Sequence, residues 1–181
     1  SDGVWLSEAV EKAIGKHREA GKTNVGLSIP TGYRDFDAVV GGYFPGHVMM
    51  IAARSFMGKT TFALNLACKL VRSKKNALFF SLEMTSLDLA ERVLSFVHSI
   101  PFSHFNRGLI GDAQIDQLAD DVKIFDGWRM KIYQRPRQSI RQIRAIARMH
   151  KVLHGLDVIY IDHLQLIAPS DMRLQRNERL L

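Results

Sequence analysis

Gly58-Lys59-Thr60-Thr61 brings together the residue types that bind a chain of phosphates. Backbone N–H groups at the start of a helix, together with the positive end of the helix dipole, hydrogen-bond phosphate oxygens. Gly58 lets the backbone approach closely because it has no Cβ. Lys59 adds a positive charge at the β and γ phosphates, and the Thr60 hydroxyl can ligate the Mg²⁺ that bridges them. The sequence therefore predicts a phosphate-binding loop, or P-loop.

The predicted P-loop has an apolar run before it, residues 48–52, and a helix-forming run after it, residues 61–71. Strand, tight loop and helix are the context that the motif requires. Its nine residues are Ala53, Arg54, Ser55, Phe56, Met57, Gly58, Lys59, Thr60 and Thr61. Ala53 stands where glycine usually opens the loop. The alternative interpretation is an ordinary turn between a strand and a helix, with a surface lysine.

Two acidic residues follow predicted buried strands. Asp162 comes directly after the apolar residues 158–161, where a carboxylate can hold Mg²⁺, usually through a water. Glu83 follows residues 77–82 and is a candidate base, because γ-phosphate hydrolysis needs a carboxylate to orient the attacking water. Each acid has a plainer interpretation. Asp162 can simply begin a loop, and Glu83 can be an acid favoured at a helix N-terminus.

Strands and helices alternate along the chain, which predicts parallel βαβ units and an α/β sheet flanked by helices. Two capping boxes, Thr85 with Asp88 and Ser139 with Gln142, mark helix starts. Ligand groups in such sheets gather at the carboxyl ends of the strands. We therefore expect the P-loop and both acids at one edge. The predicted strands cover residues 48–52, 77–82, 130–133 and 158–161, the predicted helices cover residues 5–18, 61–71, 86–98, 113–120 and 140–154, and residues 101–111 are predicted as a loop.

The helix over residues 140–154, which Gly155 stops, has a basic face that could bind nucleic-acid phosphates. Such a row is more often a solvated surface, and the aromatic residues typical of single-strand stacking are absent there. His150 and His154 make a metal pair conceivable, but no third ligand is evident. The predicted inner face comprises Ile140, Ile143, Ala147 and Leu153, and the outer face comprises Arg141, Arg144, Arg148 and Lys151.

Composition narrows the class of protein. The 181 residues, of which 46% are hydrophobic, suffice for one good core, and no apolar run approaches the length of a membrane span. The single cysteine, Cys68, excludes an internal disulfide and favours a reducing, cytoplasmic location; we expect it to be a small core residue. The net charge of +7 suggests affinity for polyanions, although part of this positive charge can serve to bind a nucleotide.

An amphipathic helix is predicted over residues 5–18, with Ser7 as a candidate cap and Gly15 weakening its second half. Residues 21–30 follow as a linker. The apolar face of this helix can pack on its own domain or dock on a neighbouring copy of the chain. We therefore divide the chain into a linker helix and linker, residues 1–30, and a core, residues 31–181.

The motifs together resemble the RecA-like motor of DnaB-type replicative helicases, in order and in spacing. The resemblance reaches from the first helix to about Ile167, and an alanine at the first P-loop position is usual in that family. It is carried by Thr31-Gly32, Asp37, Gly41-Gly42, Pro45-Gly46, the P-loop from Ala52 to Ala63, Ser81-Leu82-Glu83-Met84, and Ile161-Asp162-His163-Leu164-Gln165-Leu166.

The resemblance implies a RecA-like P-loop NTPase that hydrolyses ATP with Mg²⁺ to move along single-stranded DNA and unwind duplex. Lys59 and Thr60 would bind Mg-ATP, Asp162 would support the metal, and Glu83 would be the catalytic base. A hexameric ring is implied, with the first helix packed on the adjacent subunit, and primase and a helicase loader are further partners. Because no apolar run is long enough to span a membrane, we expect no membrane partner.

Two positions and the length depart from the family. Ser55 stands where proline is common, and His163 stands where tyrosine is common, next to Asp162. The family's motor continues with a γ-phosphate-sensing glutamine, DNA-contacting loops and an arginine finger, so we expect a core that is incomplete at its carboxyl end. Two alternatives remain: another RecA-like ATPase, of the recombinase, clock or signalling type, and a nucleotide-binding assembly module without turnover.

Overall fold

Three parallel β-strands form the sheet, in the order β2-β1-β3. They are Ala77–Ser81 (β1), Met130–Gln134 (β2) and Val158–Asp162 (β3). In the register of the central strand, Ser81 lies level with Gln134 on one side and with Asp162 on the other. The predicted strands in these three places are confirmed, and so is the parallel α/β arrangement.

The computed structural model describes residues 3–23, 26–54, 56–163 and 167. Two units are distinguished, Ser1–Met49 and Met50–Leu181. The division between a linker at residues 1–30 and a core from residue 31 stays a prediction. Leu164-Gln165-Leu166 and the carboxyl-terminal residues from 168 onwards, on which part of the family resemblance and the expected incompleteness rest, lie outside the described residues.

The first unit contains α1, Leu6–Thr23, and α2, Arg34–Val40. The predicted helix near the amino terminus is therefore confirmed, but it begins before Ser7 and runs through Gly15 to Thr23, into the predicted linker. After α1, the carboxylate of Asp37 accepts hydrogen bonds from the backbone of Thr31, at 2.9 Å, and of Gly32, at 3.2 Å. An aspartate that bonds nearby backbone N–H groups in this way is typical of turns.

The second unit contains the sheet and five helices within its described residues. Both predicted capping boxes are present: the Thr85 and Ser139 hydroxyls accept from the backbone N–H groups of Asp88 and Gln142, and the side chains of these two residues accept in return. The helices are α3, Lys59–Arg72; α4, Ser86–Val97; α5, Phe102–Arg107; α6, Asp112–Asp120; and α7, Ile140–His154. A short 3₁₀ segment, Asp121–Phe125, follows α6.

The core lies around β1, in which every residue is buried. The Phe80 ring stacks on Tyr133 of β2 with centroids 5.4 Å apart, and the Phe79 ring stacks on Tyr160 of β3 at 5.9 Å. Cys68 is fully buried, as predicted. The buried residues of α3 all follow its first turn: Leu64, Leu66, Ala67, Cys68, Leu70 and Val71.

The predicted strand before the P-loop is wrong. Residues 47–54 form no regular element, and Val48 and Met50 are 90% and 71% exposed. A strand requires a hydrogen-bonded partner as well as apolar residues, and this segment pairs with none of the three described strands. An irregular segment, rather than a strand, therefore precedes the P-loop.

Two further expectations are corrected. The predicted loop at residues 101–111 contains α5, since Pro101 serves as the N-cap and Gly108 ends the helix in a left-handed conformation. The inner face of α7 is formed by Ile143, Ala147 and His150, while Ile140 and Leu153, at the two ends of the helix, are exposed. The basic outer face is exposed, as predicted. Among the described residues, no helix combines the length and apolar character needed to cross a membrane.

Gly155 ends α7 with φ 77° and ψ 160°, a backbone region that only glycine occupies without strain. A Cβ there would lie 2.9 Å from Asn76 Nδ2. We expect Gly155→Ala to lower the free energy of unfolding by about 1–3 kcal/mol, measured from urea midpoints. Gly127→Ala is the matched control, because a Cβ at Gly127 meets no atom within 4 Å. Equal midpoints for the two variants would contradict the prediction.

Cys68 gives a pH-dependent prediction. Burial raises the pKa of its thiol to about 12, against a smaller opposing effect of Arg72. The reactive thiolate is therefore scarce in the folded chain up to about pH 10, whereas an unfolded cysteine ionises near pH 8.5. We expect iodoacetamide to alkylate the folded chain at least about 100-fold more slowly than the urea-unfolded chain at pH 8. Similar rates in the two states would show that the thiol is accessible.

Candidate functional site

The predicted P-loop turns directly into α3. Gly58 is the N-cap in a left-handed conformation, with φ 81°, and the Phe62 N–H donates to its carbonyl at 2.9 Å. A Cβ at Gly58 would meet no atom within 4 Å, so the space beside this residue is open. The first backbone N–H groups of a helix lack partners within it, and glycine has no side chain to cap them. An anion is one kind of partner that can satisfy them.

The rest of the loop is a turn on the surface. The Met57 N–H donates to the Arg54 carbonyl at 3.3 Å, and Phe56 lies fully exposed at the tip with φ 63°. Lys59 and Thr60, the first two residues of α3, are half-buried. Ser55 lies outside the described residues. The two side chains predicted to contact phosphate and metal are thus anchored on a helix, whereas the tip is open to solvent.

Glu83 and Asp162 lie at the carboxyl edge of the sheet. Asp162 is the last residue of β3, level with Ser81, and the Leu82 N–H donates to its carbonyl at 2.9 Å. This hydrogen bond extends the β1–β3 ladder by one residue beyond Ser81. Glu83 is the residue that follows the extended ladder. The structure therefore brings the two predicted acidic residues together at the edge that the sequence indicated.

The first turn of α3 lies towards this same edge. Residues 73–76 connect the end of α3 to the amino end of β1, so the helix runs against the strand direction. Arg92 of α4, the helix that follows β1, donates from Nη1 to the Thr61 hydroxyl at 3.3 Å. The Arg92 guanidinium also lies over the Phe102 ring, 4.3 Å from its centroid. Arg92 therefore holds the P-loop end of α3 against the helix that Glu83 precedes.

The two carboxylates have different surroundings. Asp162 is only 6% exposed, and its Oδ2 has no hydrogen-bond partner in the described part of the chain. A buried carboxylate oxygen without a partner is costly, and a cation or a metal-bound water can satisfy it. The Glu83 side chain is 60% exposed. Asp162 therefore fits a Mg²⁺ site, and Glu83 is open to water.

His163 contacts Glu83, with 3.1 Å between its Nδ1 and Oε2 of the carboxylate. The sequence marked His163 only as a departure from the family pattern. The contact joins residues 80 positions apart, so no local pattern predicts it. The position of His163 directly after Asp162 was the one sequence feature that could have indicated a role at the site. Likewise, no sequence motif predicted the contact between Arg92 and Thr61.

The other candidate ligands lie elsewhere. The His150 and His154 rings are 4.9 Å apart on α7, and the pKa of His150 is lowered, first by burial and then by His154 and Lys131. Within the described residues no group of three or more histidine, cysteine or acidic side chains could hold a metal ion. The carboxyl edge of the sheet is therefore the place where the candidate chemistry gathers.

Comparison with known sequences gives a family. A family profile described as DnaB-like helicase C terminal domain matches residues 28–180. The replicative DNA helicase DnaB of Leifsonia xyli is 33% identical over 184 residues, covering 98% of this chain and 39% of that protein. The DnaB of Rickettsia felis is 34% identical over 176 residues, covering 91% of this chain and 35% of that protein. The chain thus spans less than half the length of these relatives.

Two solved structures resemble the fold closely. One of them, described as an ATPase domain, superposes with a TM-score of 0.79 at 25% identity, covering 95% of this chain and 61% of that chain. The other, a DnaB-like replicative helicase described with its interactions with primase, gives the same TM-score and identity and covers 95% of this chain and 42% of that chain.

Proposed function

From the premise that the chain belongs to the family of DnaB-like helicase C-terminal domains, we propose that it binds ATP with Mg²⁺ and hydrolyses it to drive movement along single-stranded DNA. The fold is RecA-like. The observation that carries the proposal is the left-handed Gly58 cap, which opens α3 at Lys59 beside an edge that presents two carboxylates. In this arrangement the N–H groups of the first helical turn, which have no partners within the helix, receive phosphate oxygens.

Each residue then has one role. The ammonium group of Lys59 contacts the β and γ phosphates, and the backbone of residues 53–61 surrounds them. The Thr60 hydroxyl and the Asp162 carboxylate would hold Mg²⁺, Asp162 either directly or through a water. The ion, when bound, neutralises charge that develops on the phosphate oxygens. The unpartnered Oδ2 of Asp162 supports this assignment.

The chemical step is attack of water on the γ-phosphorus. A bond forms between the water oxygen and phosphorus, the bond from phosphorus to the ADP oxygen breaks, and the water proton passes to a base. Glu83 is that base in the proposed site, because its exposed carboxylate stands at the same edge as Asp162. Lys59 stabilises the charge that moves onto the leaving ADP.

The proposed assembly is a hexameric ring on single-stranded DNA in the cytoplasm. The apolar side chains of α1 support docking of this helix on a neighbouring copy, since Leu6, Val10 and Ile14 are all exposed. Primase and a helicase loader are proposed partners, as a matched structure is described with primase. The relatives named above favour the helicase over a recombinase, clock or signalling ATPase.

Lys59→Ala tests the phosphate site. We expect ATP affinity to fall about 10- to 100-fold, because hydrogen bonds to charged groups contribute about 1.5–3 kcal/mol each. Calorimetry with ATP and Mg²⁺ measures the change. Lys75→Ala, beyond the opposite end of α3, is the control and should bind normally. Unchanged affinity in the Lys59 variant would reject the proposed P-loop.

Glu83→Gln tests the reaction. We expect ATP binding to persist while hydrolysis in the presence of single-stranded DNA falls about 10²- to 10⁴-fold, because a positioned base contributes that much. Release of phosphate by the complete protein is the measurement, and Glu91→Gln on α4 is the control. Binding without turnover in the unsubstituted protein would favour the assembly-module alternative, and full turnover in the Glu83 variant would remove Glu83 as the base.

A further inference from the structure

The Glu83 carboxylate has one polar contact in the described part of the chain, the imidazole of His163, with 3.1 Å between Nδ1 and Oε2. We propose that His163 is a positioning residue, whose ring N–H holds the Glu83 carboxylate in the orientation that accepts a proton from the attacking water. This inference rests on the proposed function, since it needs Glu83 to be the base. It assigns a role to the residue that departs from the family pattern.

The backbones on both sides of this contact are fixed. The Leu82 N–H donates to the Asp162 carbonyl at 2.9 Å, one residue before each partner. The turn after β1 is closed by the Ser81 hydroxyl, which donates to the Met84 carbonyl at 2.6 Å and accepts from the Met84 N–H at 3.2 Å. The two side chains therefore start from points whose separation the sheet determines.

The Glu83 side chain itself needs a restraint. At 60% exposure it is not packed in place, and a glutamate has several rotatable bonds that populate different rotamers. The His163 side chain is only 32% exposed, so it is the better-fixed partner. The contact with the more buried ring favours, among the rotamers of Glu83, those that turn its carboxylate towards His163 at the end of β3.

The contact does not depend on a charged imidazole. Nδ1 carries a proton in one neutral tautomer as well as in the charged ring, and either form donates to a carboxylate. An exposed ion pair contributes little energy, so the effect of this contact is to orient the Glu83 carboxylate. A base held within hydrogen-bond reach of the attacking water acts in each encounter, whereas a freely rotating base acts only in the fraction of time that it faces the water.

His163→Phe and His163→Asn separate this role from packing. Phenylalanine keeps a ring and loses the donor, whereas the asparagine amide places an N–H near the position of Nδ1. We expect kcat for ATP hydrolysis to fall about tenfold in the Phe variant, about 1.4 kcal/mol, with KM for ATP within about twofold of its original value. The Asn variant should recover most of the lost rate.

The measurement uses the complete protein with single-stranded DNA, and binding of a non-hydrolysable ATP analogue confirms folding. His154→Phe, an exposed histidine at the end of α7, is the control and should keep its activity. With Glu83→Gln already present, His163→Phe should cost nothing further, because a restraint on an absent base has no effect. If the Phe variant does not fold, His163→Ser replaces it, since a serine side chain is too short to reach Glu83.

Failure of this inference is distinct from failure of the proposed function. A slow Glu83→Gln variant beside a fully active His163→Phe variant would overturn the positioning role alone. A change confined to KM, or an Asn variant as slow as the Phe variant, would likewise overturn it and assign His163 to binding or packing. An active Glu83→Gln variant would overturn the assigned base, and the inference about His163 with it.

Discussion

The parallel pairing of β1 with β3 sets the level of every acidic group at the candidate site. Its register puts Ser81 beside Asp162, and the ladder continues through the hydrogen bond from the Leu82 N–H to the Asp162 carbonyl. Successive side chains of a strand point to opposite faces, so a slip of one residue would turn the Asp162 carboxylate away. The separation of the proposed base from the proposed metal ligand is thus decided by backbone hydrogen bonds.

This pairing is maintained by burial on both faces of β1. All five of its residues are buried, and its two phenylalanines stack on aromatic rings of the neighbouring strands. Burial of each such side chain contributes about 1.5–3 kcal/mol. The two ends of α3, the helix that follows the P-loop, have different surroundings. Buried residues from Leu64 onwards anchor α3 in the core, while Lys59 and Thr60 at its start remain half-buried and accessible.

The elements that sequence predicted best are those with local determinants. Each capping box lies within four residues, and both helices begin where Thr85 and Ser139 place them. The helix α5 was missed because Pro101 and Gly108 are typical of turns, although proline also starts helices and glycine also ends them. The apolar residues before the P-loop predicted a strand, but composition does not say whether a partner strand is available.

The residues of the candidate site likewise fall into those with local determinants and those without. The positions of the P-loop and the two acids could be predicted because each stands beside a predicted strand or helix. The direction of these elements places all three at the carboxyl edge of the sheet. The contacts of Glu83 with His163 and of Arg92 with Thr61 were not, since they join residues 80 and 31 positions apart and depend on register and helix packing.

The surroundings of the two carboxylates suit different tasks, and this supports the division of roles in the proposed site. A carboxylate that is buried beside an ion needs no access to solvent, and its unpartnered oxygen offers a fixed negative charge; Asp162 has these properties. A base must meet water and return its proton after each turnover, which a buried group does slowly. Glu83 is open to solvent, and in the proposed site its orientation is restrained through His163 rather than through burial. Exchange of the two environments would give a base shut off from water and a metal ligand competing with solvent.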